Sequence, residues 1–471
     1  MDDIRKKIDS IDRKLMELLD ERFSLTKKIG EYKNKKNQPI YNEKREKEIL
    51  EKANNFKNNN AIKDIYKQIF KTSKFYQTKY GLIGRKISYS LSPLIYKEFG
   101  LNTYELIETD DFINTMEEGK FKGVNVTIPY KTEAYKYLEN LDESAIKTKT
   151  VNTICNGKGY NTDYLSLKEI LNRFDLKKVI IIGNGATSRS VKEALDINPV
   201  LLVRNIRSEN EYLISDYERF TDYDCIINTT PYGTYPNIEK MPLFPLDKFT
   251  KLKLVFDVIY NPLHSPLILE AKKHNINYMN GLELLVMQAS ISYKIFTSKE
   301  VDYKEVFSKL RKKLYNIVLI GPSYSGKSTI AKRLSQKLNK KLVDIDENLK
   351  RENKDLETIL KNHPESYYRD LEKEEVIKHA YNFNQVIATG GGVVTSSEAM
   401  EALQKNSIII FINPPLDLLI SRIDNTRPLI KKPEDLINLY NSRKPLYLKY
   451  CDIEVKDEKE MMERINEYFN N

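Results

Sequence analysis

The sequence predicts a multidomain chain in three consecutive parts. An all-α segment over residues 1 to about 78 is followed by an α/β segment over about 79–313 and a second α/β segment over 314–471. Three observations predict this division. Residues 1–78 contain no Gly-rich turn and read as helix, broken only near Asn37-Gln-Pro39 and Asn58-Asn-Asn60. From about Lys79, short β-rich runs alternate with helical stretches, the pattern of parallel α/β units. These runs are GLIG (81–84), GVNVTI (123–128), KKVIIIG (177–183), PVLLV (199–203), DCIINTT (224–230) and KLVFDVI (253–259). After a charged helical stretch at 301–313, the strand NIVLIG at 316–321 runs into a phosphate-binding loop, and a second α/β series begins.

Composition excludes several classes. Three cysteines lie far apart among 471 residues, and with four scattered histidines they make neither a disulfide framework nor a zinc site. No apolar run approaches the roughly 18 residues a membrane helix needs, and the start MDDIRKKIDS does not read as a secretory signal. A soluble cytoplasmic protein is expected, with neither membrane nor nucleic acid as a partner. The net charge of +10 is spread over 77 basic and 67 acidic residues, a solvated surface that also favours small anionic substrates.

In the first segment, Ile4, Ile8, Ile11, Leu15, Leu18, Leu25, Ile29 and Tyr32 form an apolar stripe in steps of three and four. Arg22 stands where the stripe should continue. A buried guanidinium needs an anion, and four readings are open: a register-setting polar residue in a coiled coil, a Glu on a partner helix, snorkelling to solvent, or a ligand. Lys33, 11 residues on, lies about 20° away on the same helical face. The last helix has its own stripe (Ile62, Tyr66, Ile69, Tyr76), interrupted at Ser73 with Gln77 one turn further. Two apolar faces broken by polar groups suggest a polar cavity.

With I-R-x-x-I-D-x-I-D at 4–12, L-L-x-E-R at 18–22, I-G-x-Y-K at 29–33, R-E at 45–46 and S-x-x-x-Q at 73–77, the segment resembles the all-helical chorismate mutases. The resemblance implies that Arg22 and Arg45 bind the carboxylates of chorismate and that Glu46 binds the ring hydroxyl. Lys33 and Gln77 would donate to the ether oxygen, and Ser73 would complete the substrate site. Arg5 would reach the neighbouring subunit's site across an intertwined homodimer. Holding a reactive conformer and stabilising the ether oxygen suffices for a pericyclic rearrangement. The alternative is a non-catalytic dimerisation or ligand-sensing module.

In the middle segment, Gly183-Asn-Gly185-Ala186-Thr-Ser188 opens a helix directly after KKVIII, a dinucleotide-binding loop with serine at the third glycine. About 20 residues on, Arg204 and Arg207 stand where NAD enzymes place an acid, and cations there suit the 2′-phosphate of NADP. Y-S-L-S-P (89–93), N-V-T-I-P-Y-K (125–131), V-N-T (151–153) and N-T-D (161–163) resemble shikimate dehydrogenase over about 79–313. The substrate part would be about 79–174 plus helices at about 285–313, and the NADP part about 175–284. By resemblance, Ser90 and Ser92 bind the carboxylate of 3-dehydroshikimate or shikimate, and Thr127, Asn152 and Gln288 hold ring hydroxyls. Lys131 and Asp163 would move the proton that accompanies hydride transfer.

In the last segment, Gly321-Pro-Ser-Tyr-Ser-Gly326-Lys327-Ser328 satisfies the P-loop pattern in strand–loop–helix context. Its backbone N–H groups, with Lys327 and Thr329, would hold ATP phosphates, and Ser328 with Asp344 would hold Mg2+. With D-x-D at 344–346, Y-R-D-L-E at 368–372, A-T-G-G-G at 388–392, R-P-L at 427–429 and R-x-P-L-Y at 443–447, the segment resembles shikimate kinase. The resemblance puts Asp346 beside the attacking hydroxyl, Arg369, Arg443 and Gly391 on the substrate, and Arg427 on a mobile lid touching phosphates. Lid closure would exclude water.

Overall fold

The computed structural model describes residues 1–471 except 120, 237, 239–241, 353–355, 425–426 and 471. Three helices come first: α1 (Asp2–Lys35), α2 (Glu43–Lys52) and α3 (Asn59–Gln77). Asn42 caps α2 by accepting from the Arg45 amide. α1 and α3 meet where Gly30 faces Gln77: a Cβ on Gly30 would lie 2.8 Å from the Gln77 Cα. Asn34 ties the same crossing by donating to the carbonyls of Gly30 and Gln77.

The aliphatic stripe of α1 is not buried within the chain. Ile4, Ile8, Ile11, Leu15, Leu18, Leu25, Ile29 and Tyr32 are 49–63 % exposed. The reason is the side that α3 takes: Leu25, Ile29 and Tyr32 stay exposed although their neighbours Thr26 and Gly30 are buried against it. The side of α1 that α3 covers instead carries Thr26 and Gly30, both buried, with Arg22 and Lys33 partly so.

Three sheets follow. The first comprises β1 (Tyr80–Gly84), β2 (Tyr104–Glu108), β3 (Gly123–Val126), β4 (Asn140–Leu141), β5 (Thr153–Cys155) and β6 (Lys158–Tyr160), in the order β2-β1-β3-β5-β6-β4. β1 pairs in parallel with β2 and β3, and an antiparallel turn at β5 and β6 closes the series. The second comprises β7 (Val179–Ile182), β8 (Val200–Val203), β9 (Glu211–Leu213), β10 (Cys225–Asn228), β11 (Leu254–Asp257) and β12 (Asn277–Met279). It is all parallel in the order β12-β11-β10-β7-β8-β9. The third comprises β13 (Asn316–Ile320), β14 (Lys341–Asp344), β15 (Gln385–Ala388), β16 (Ser407–Ile412) and β17 (Ile453–Val455), parallel in the order β14-β15-β13-β16-β17. Near-continuous apolar strands such as Val179–Ile182 and Ile317–Ile320 are fully buried, as parallel sheets covered on both faces require.

The chain forms two compact units. One holds residues 1–175, 184–198 and 284–306; its core gathers Ile83, Ile107, Phe112, Val124 and Val126, with Phe75 of α3 packed against it. The other holds residues 176–183, 199–283 and 307–471, with one core around Ile180, Ile226 and Val255 and another around Val318, Ile387 and Phe411.

Candidate active sites

In the helical segment, Arg22 donates to the Ser73 hydroxyl at 2.6 Å, so the anomalous cation of α1 and the polar gap of α3 do meet. Gln77, one turn beyond Ser73, donates to the Ser73 carbonyl, and its buried Oε1 has no hydrogen-bond partner. Lys33 spends its ammonium on the Ile40 carbonyl at 2.7 Å, because the chain folds back after α1. Burial pulls its pKa down, opposed by Glu105 and Glu46. Glu46 pairs with Lys74 at 3.4 Å, and Arg45 points outward to Glu48, 61 % exposed. Arg5 lies 17 residues before Arg22 on the same rod, roughly 26 Å away. Within one chain, therefore, Arg22, Ser73 and Gln77 are brought together, while Arg5 and Arg45 stand apart from them.

In the first α/β segment the predicted proton pair is formed. The Lys131 ammonium, at the start of the helix Lys131–Tyr137, meets Asp163 Oδ2 at 2.6 Å, with both side chains about 15 % exposed. Asp163 lies in the first turn of the helix Thr162–Leu171, where the N-terminal dipole favours a carboxylate. Asn161 caps that helix and is itself held by Thr148, Thr150 and Ser190, so the carboxylate's position is fixed from behind. Thr162 gathers the predicted hydroxyl ligands. It accepts from the Asn152 amide at 3.0 Å and donates to Gln288 Oε1 at 3.3 Å. Ser90 and Ser92 place their hydroxyls 3.2 Å apart at the head of the helix Ser92–Glu98. Thr127 follows β3, and Gly84 makes room for it: a Cβ there would lie 2.5 Å from the Thr127 methyl.

Sequence reasoning missed two residues here. Thr162 sits inside the N-T-D run, so its neighbours signalled it. Arg189 gave no motif signal; its Nη2 donates to Thr132 at 2.8 Å, one residue from Lys131, and its buried Nε has no hydrogen-bond partner.

The dinucleotide loop follows β7. Gly183 adopts φ +107, and a Cβ would strike Thr229 and Thr230 at 2.9 Å. Gly185 caps the helix Ala186–Ala194. β8 ends at Val203, so Arg204 follows directly on the strand end and Arg207 lies on the exposed turn beyond, its amide donating to Glu211.

In the last segment the P-loop wraps the start of the helix Lys327–Lys337, with Gly326 at φ +85 and Ser328 and Thr329 in the first turn. A Cβ on Gly321 would lie 2.6 Å from the Ile412 carbonyl oxygen. Lys327 is buried, donates to the carbonyls of Gly321 and Pro322, and is pushed down to about 8 by burial. Asp344 caps the following helix through the Glu347 amide, and Asp346 accepts from Tyr368 and pairs with Arg427 at 3.3 Å. The glycines after β15 admit these groups: a Cβ on Gly390 would strike Glu372 Oε1 at 2.2 Å and Asp346 at 2.8 Å, and one on Gly392 the Arg369 guanidinium at 2.3 Å. Tyr447 donates to the Gly391 carbonyl.

Two carboxylates grip Arg369: Glu372, the last residue of the Y-R-D-L-E run, and Glu365, which no motif marks. Glu365 accepts from its Nε and Nη2, and the buried Glu372 from its Nη1 at 2.7 Å. Arg443 Nη2 approaches Glu365 at 3.9 Å. A cavity of about 680 Å³ is lined by Asp344, Asp346, Arg369, Glu372, Gly391 and Arg443, and one of about 550 Å³ by the P-loop and Arg427. Among the described residues there is no cluster of three or more acidic, histidine or cysteine side chains that could hold a metal.

A parallel sheet with a glycine-rich loop, a lysine–aspartate pair beside hydrogen-bonded hydroxyl and amide side chains, and a P-loop sheet define a nucleotide-dependent dehydrogenase fused to a P-loop kinase. Over about half its length the chain is 34% identical, across 270 residues, to the shikimate dehydrogenase (NADP(+)) of Methanococcus maripaludis, 97% of which is covered. It is also 34% identical to that of Saccharolobus solfataricus, covering 95% of it and 50% of this chain. The chain belongs to the shikimate dehydrogenase family. Residues 82–154 match the shikimate dehydrogenase substrate binding domain, residues 4–78 chorismate mutase type II and residues 324–471 shikimate kinase. A chorismate mutase/shikimate 5-dehydrogenase fusion protein from Clostridium acetobutylicum aligns with a TM-score of 0.45 at 30% identity, covering 50% of this chain and 97% of that one. The chain thus carries mutase, NADP-dependent dehydrogenase and ATP-using kinase domains. No helix among the described residues is long and apolar enough to cross a membrane.

Proposed function

We propose that this chain is a trifunctional enzyme of aromatic amino-acid biosynthesis, rearranging chorismate to prephenate, reducing 3-dehydroshikimate to shikimate with NADPH, and phosphorylating shikimate with ATP. The observation that carries the reading is the Lys131–Asp163 pair beside the Asn152–Thr162–Gln288 cluster. NADPH held by Gly183, Gly185, Ala186, Arg204 and Arg207 would supply the hydride for the ketone carbon. Lys131 delivers a proton to the carbonyl oxygen as it becomes an alcohol, and Asp163 holds the ammonium in place. Ser90 and Ser92 fix the carboxylate, and Arg204 with Arg207 receives the 2′-phosphate.

In the kinase, Asp346 accepts the proton of the attacking hydroxyl, Arg369 and Arg443 bind the acid, and Lys327 with Arg427 holds phosphates. Mg2+ bound at Ser328 and Asp344 would neutralise charge between the phosphates. The segments divide at about 78 and 313, and the compartment is the cytosol. Incubation with 3-dehydroshikimate, NADPH and ATP–Mg should yield shikimate 3-phosphate; accumulation of shikimate alone would sink the kinase assignment.

The mutase reading requires a homodimer, since Arg5 cannot reach the Arg22 of its own chain. The exposed stripe of α1 supports that pairing. Mixing Arg5→Ala chains with Arg22→Ala chains should restore prephenate formation that neither shows alone, because a hybrid pair holds one intact site. No turnover by the wild type would leave the helical segment as a dimerisation or sensing module.

A further inference from the structure

The kinase sheet meets the dinucleotide-binding part of the same compact unit through the beginnings of its strands. Tyr315, Gln404 to Asn406 and Asp452 immediately precede β13, β16 and β17. All of them contact the segment from Leu263 to Lys272, just beyond β11. Leu263 and His264 are fully buried; the Leu263 amide donates to Asn406 Oδ1 at 2.8 Å and the His264 amide to the Lys405 carbonyl at 2.8 Å. The His264 ring lies between two partners, with Nδ1 at 2.8 Å from the Gln404 carbonyl and Nε2 at 3.1 Å from the Tyr315 hydroxyl. A carbonyl only accepts, so the ring proton sits on Nδ1 and Nε2 accepts from Tyr315. Lys272 adds an ion pair to Asp452 at 2.6 Å, and the other Asp452 oxygen takes the Ile409 amide inside β16. The P-loop and Gly390–Gly392 follow the carboxyl ends of β13 and β15, so this joint leaves the kinase site free at the opposite end of the sheet.

The same joint connects back to the dinucleotide loop through buried hydrogen bonds. Ser265 donates to Asp257 Oδ2 at 2.5 Å, and Asn228 donates to Asp257 Oδ1 at 3.0 Å. Thr230 donates to Asn228 Oδ1 at 2.7 Å, and Thr229 and Thr230 are the residues that press on Gly183. Asn228, Asp257, His264 and Ser265 are at most 2 % exposed. Breaking any link leaves a buried polar group unpaired, which is what makes such networks cooperative.

We infer that residues 176–183, 199–283 and 307–471 open and close as one cooperative body, so that a dinucleotide held at the Gly183 loop stabilises the kinase fold. This rests on the NADP reading of that loop. Hydrogen exchange on the full chain tests it, with NADP+ at about 100 times its dissociation constant. A ligand bound only to the closed body raises the protection of amides that exchange through its opening by up to about 100-fold at that concentration. The rise should appear in β7 and β10 and equally in β13 and β16. His264→Gln and Lys272→Met should confine it to β7 and β10 without changing NADP+ affinity. Protection confined to β7, β10 and β11 in the wild type would overturn the coupling. No bound NADP+ and no protection anywhere would instead overturn the cofactor reading, and the coupling with it.

Discussion

Lys131 and Asp163 are held so differently from an ordinary surface pair that their chemistry can be predicted. The carboxylate sits on a capped helix start and the ammonium opens a second helix, so neither side chain needs to reorganise when a substrate arrives. Lys131→Met should lower the kcat of dehydroshikimate reduction by about 10²–10⁴, the usual range for a lost general acid, with shikimate binding retained by calorimetry. In the kinase, Glu365 binds the Nε edge of Arg369 and lies within 3.9 Å of Arg443. Glu365→Gln should therefore raise the KM for shikimate about tenfold, as loss of a charge-assisted hydrogen bond implies, while the KM for ATP stays unchanged. Lys327 makes a third prediction. With its pKa near 8, it is cationic at pH 7 and neutral at pH 9. Phosphate oxygens favour the cation, so ATP binding at pH 8–9 should take up a proton. Titration in two buffers of different ionisation enthalpy reads that uptake, and equal heats would refute it. Arg369 and Lys327 were legible because motifs name them. Glu372 closes the same Y-R-D-L-E run as Arg369, but Glu365 lies outside every motif, and a spacing of four residues along a helix shows only that an arginine has an acidic neighbour. Which edge of the guanidinium they occupy depends on Gly392 and the sheet behind it.

At the scale of the element, α1 shows what periodicity can and cannot say. Its stripe named a helix, and the gap at Arg22 named a cation on its face, which the structure places against Ser73. What the stripe did not name is the side α3 takes. That side is set by Gly30, Thr26 and Asn34, small or polar residues that let two helices approach and bond, and hydrophobic spacing is blind to them. The aliphatic side remains outward, a run of apolar surface far longer than an isolated exposed leucine. Leu15→Glu with Leu18→Glu should convert the chain to monomer in sedimentation and abolish prephenate formation, while dehydrogenase kinetics stay at wild-type values. A dimer that persists with full mutase activity would show that α1 does not carry the contact.

At the scale of the whole molecule, three sequence segments are grouped by their contacts into two bodies, because those contacts join residues far apart in the chain, such as Leu263 with Asn406. That grouping has a pH signature. Burial first, then Lys272, pulls the His264 pKa down to about 3 from an ordinary value near 6.5, with Arg311 and Lys405 adding to the effect and the Gln404 carbonyl opposing it. Below pH 6.5 the unfolded chain therefore takes up a proton that the folded one refuses. Stability falls as the pH drops, by about 2 kcal/mol from this residue between pH 7 and 5. Asp257 acts in the opposite direction. Burial raises it to about 6 against its bonds from Ser265, Ile259 and Asn228, so near pH 5 the folded chain holds a proton that the unfolded one releases. Its contribution grows by about 1 kcal/mol over the same interval. The two effects partly cancel in the wild type and separate in variants. Relative to wild type, His264→Gln should gain stability on going from pH 7 to pH 5, and Asp257→Asn should lose it. Guanidinium unfolding at the two pH values, followed by a probe in the kinase strands, measures both differences. The difference with wild type removes every other titrating group, so equal shifts in the two variants would show that neither residue is buried at this joint.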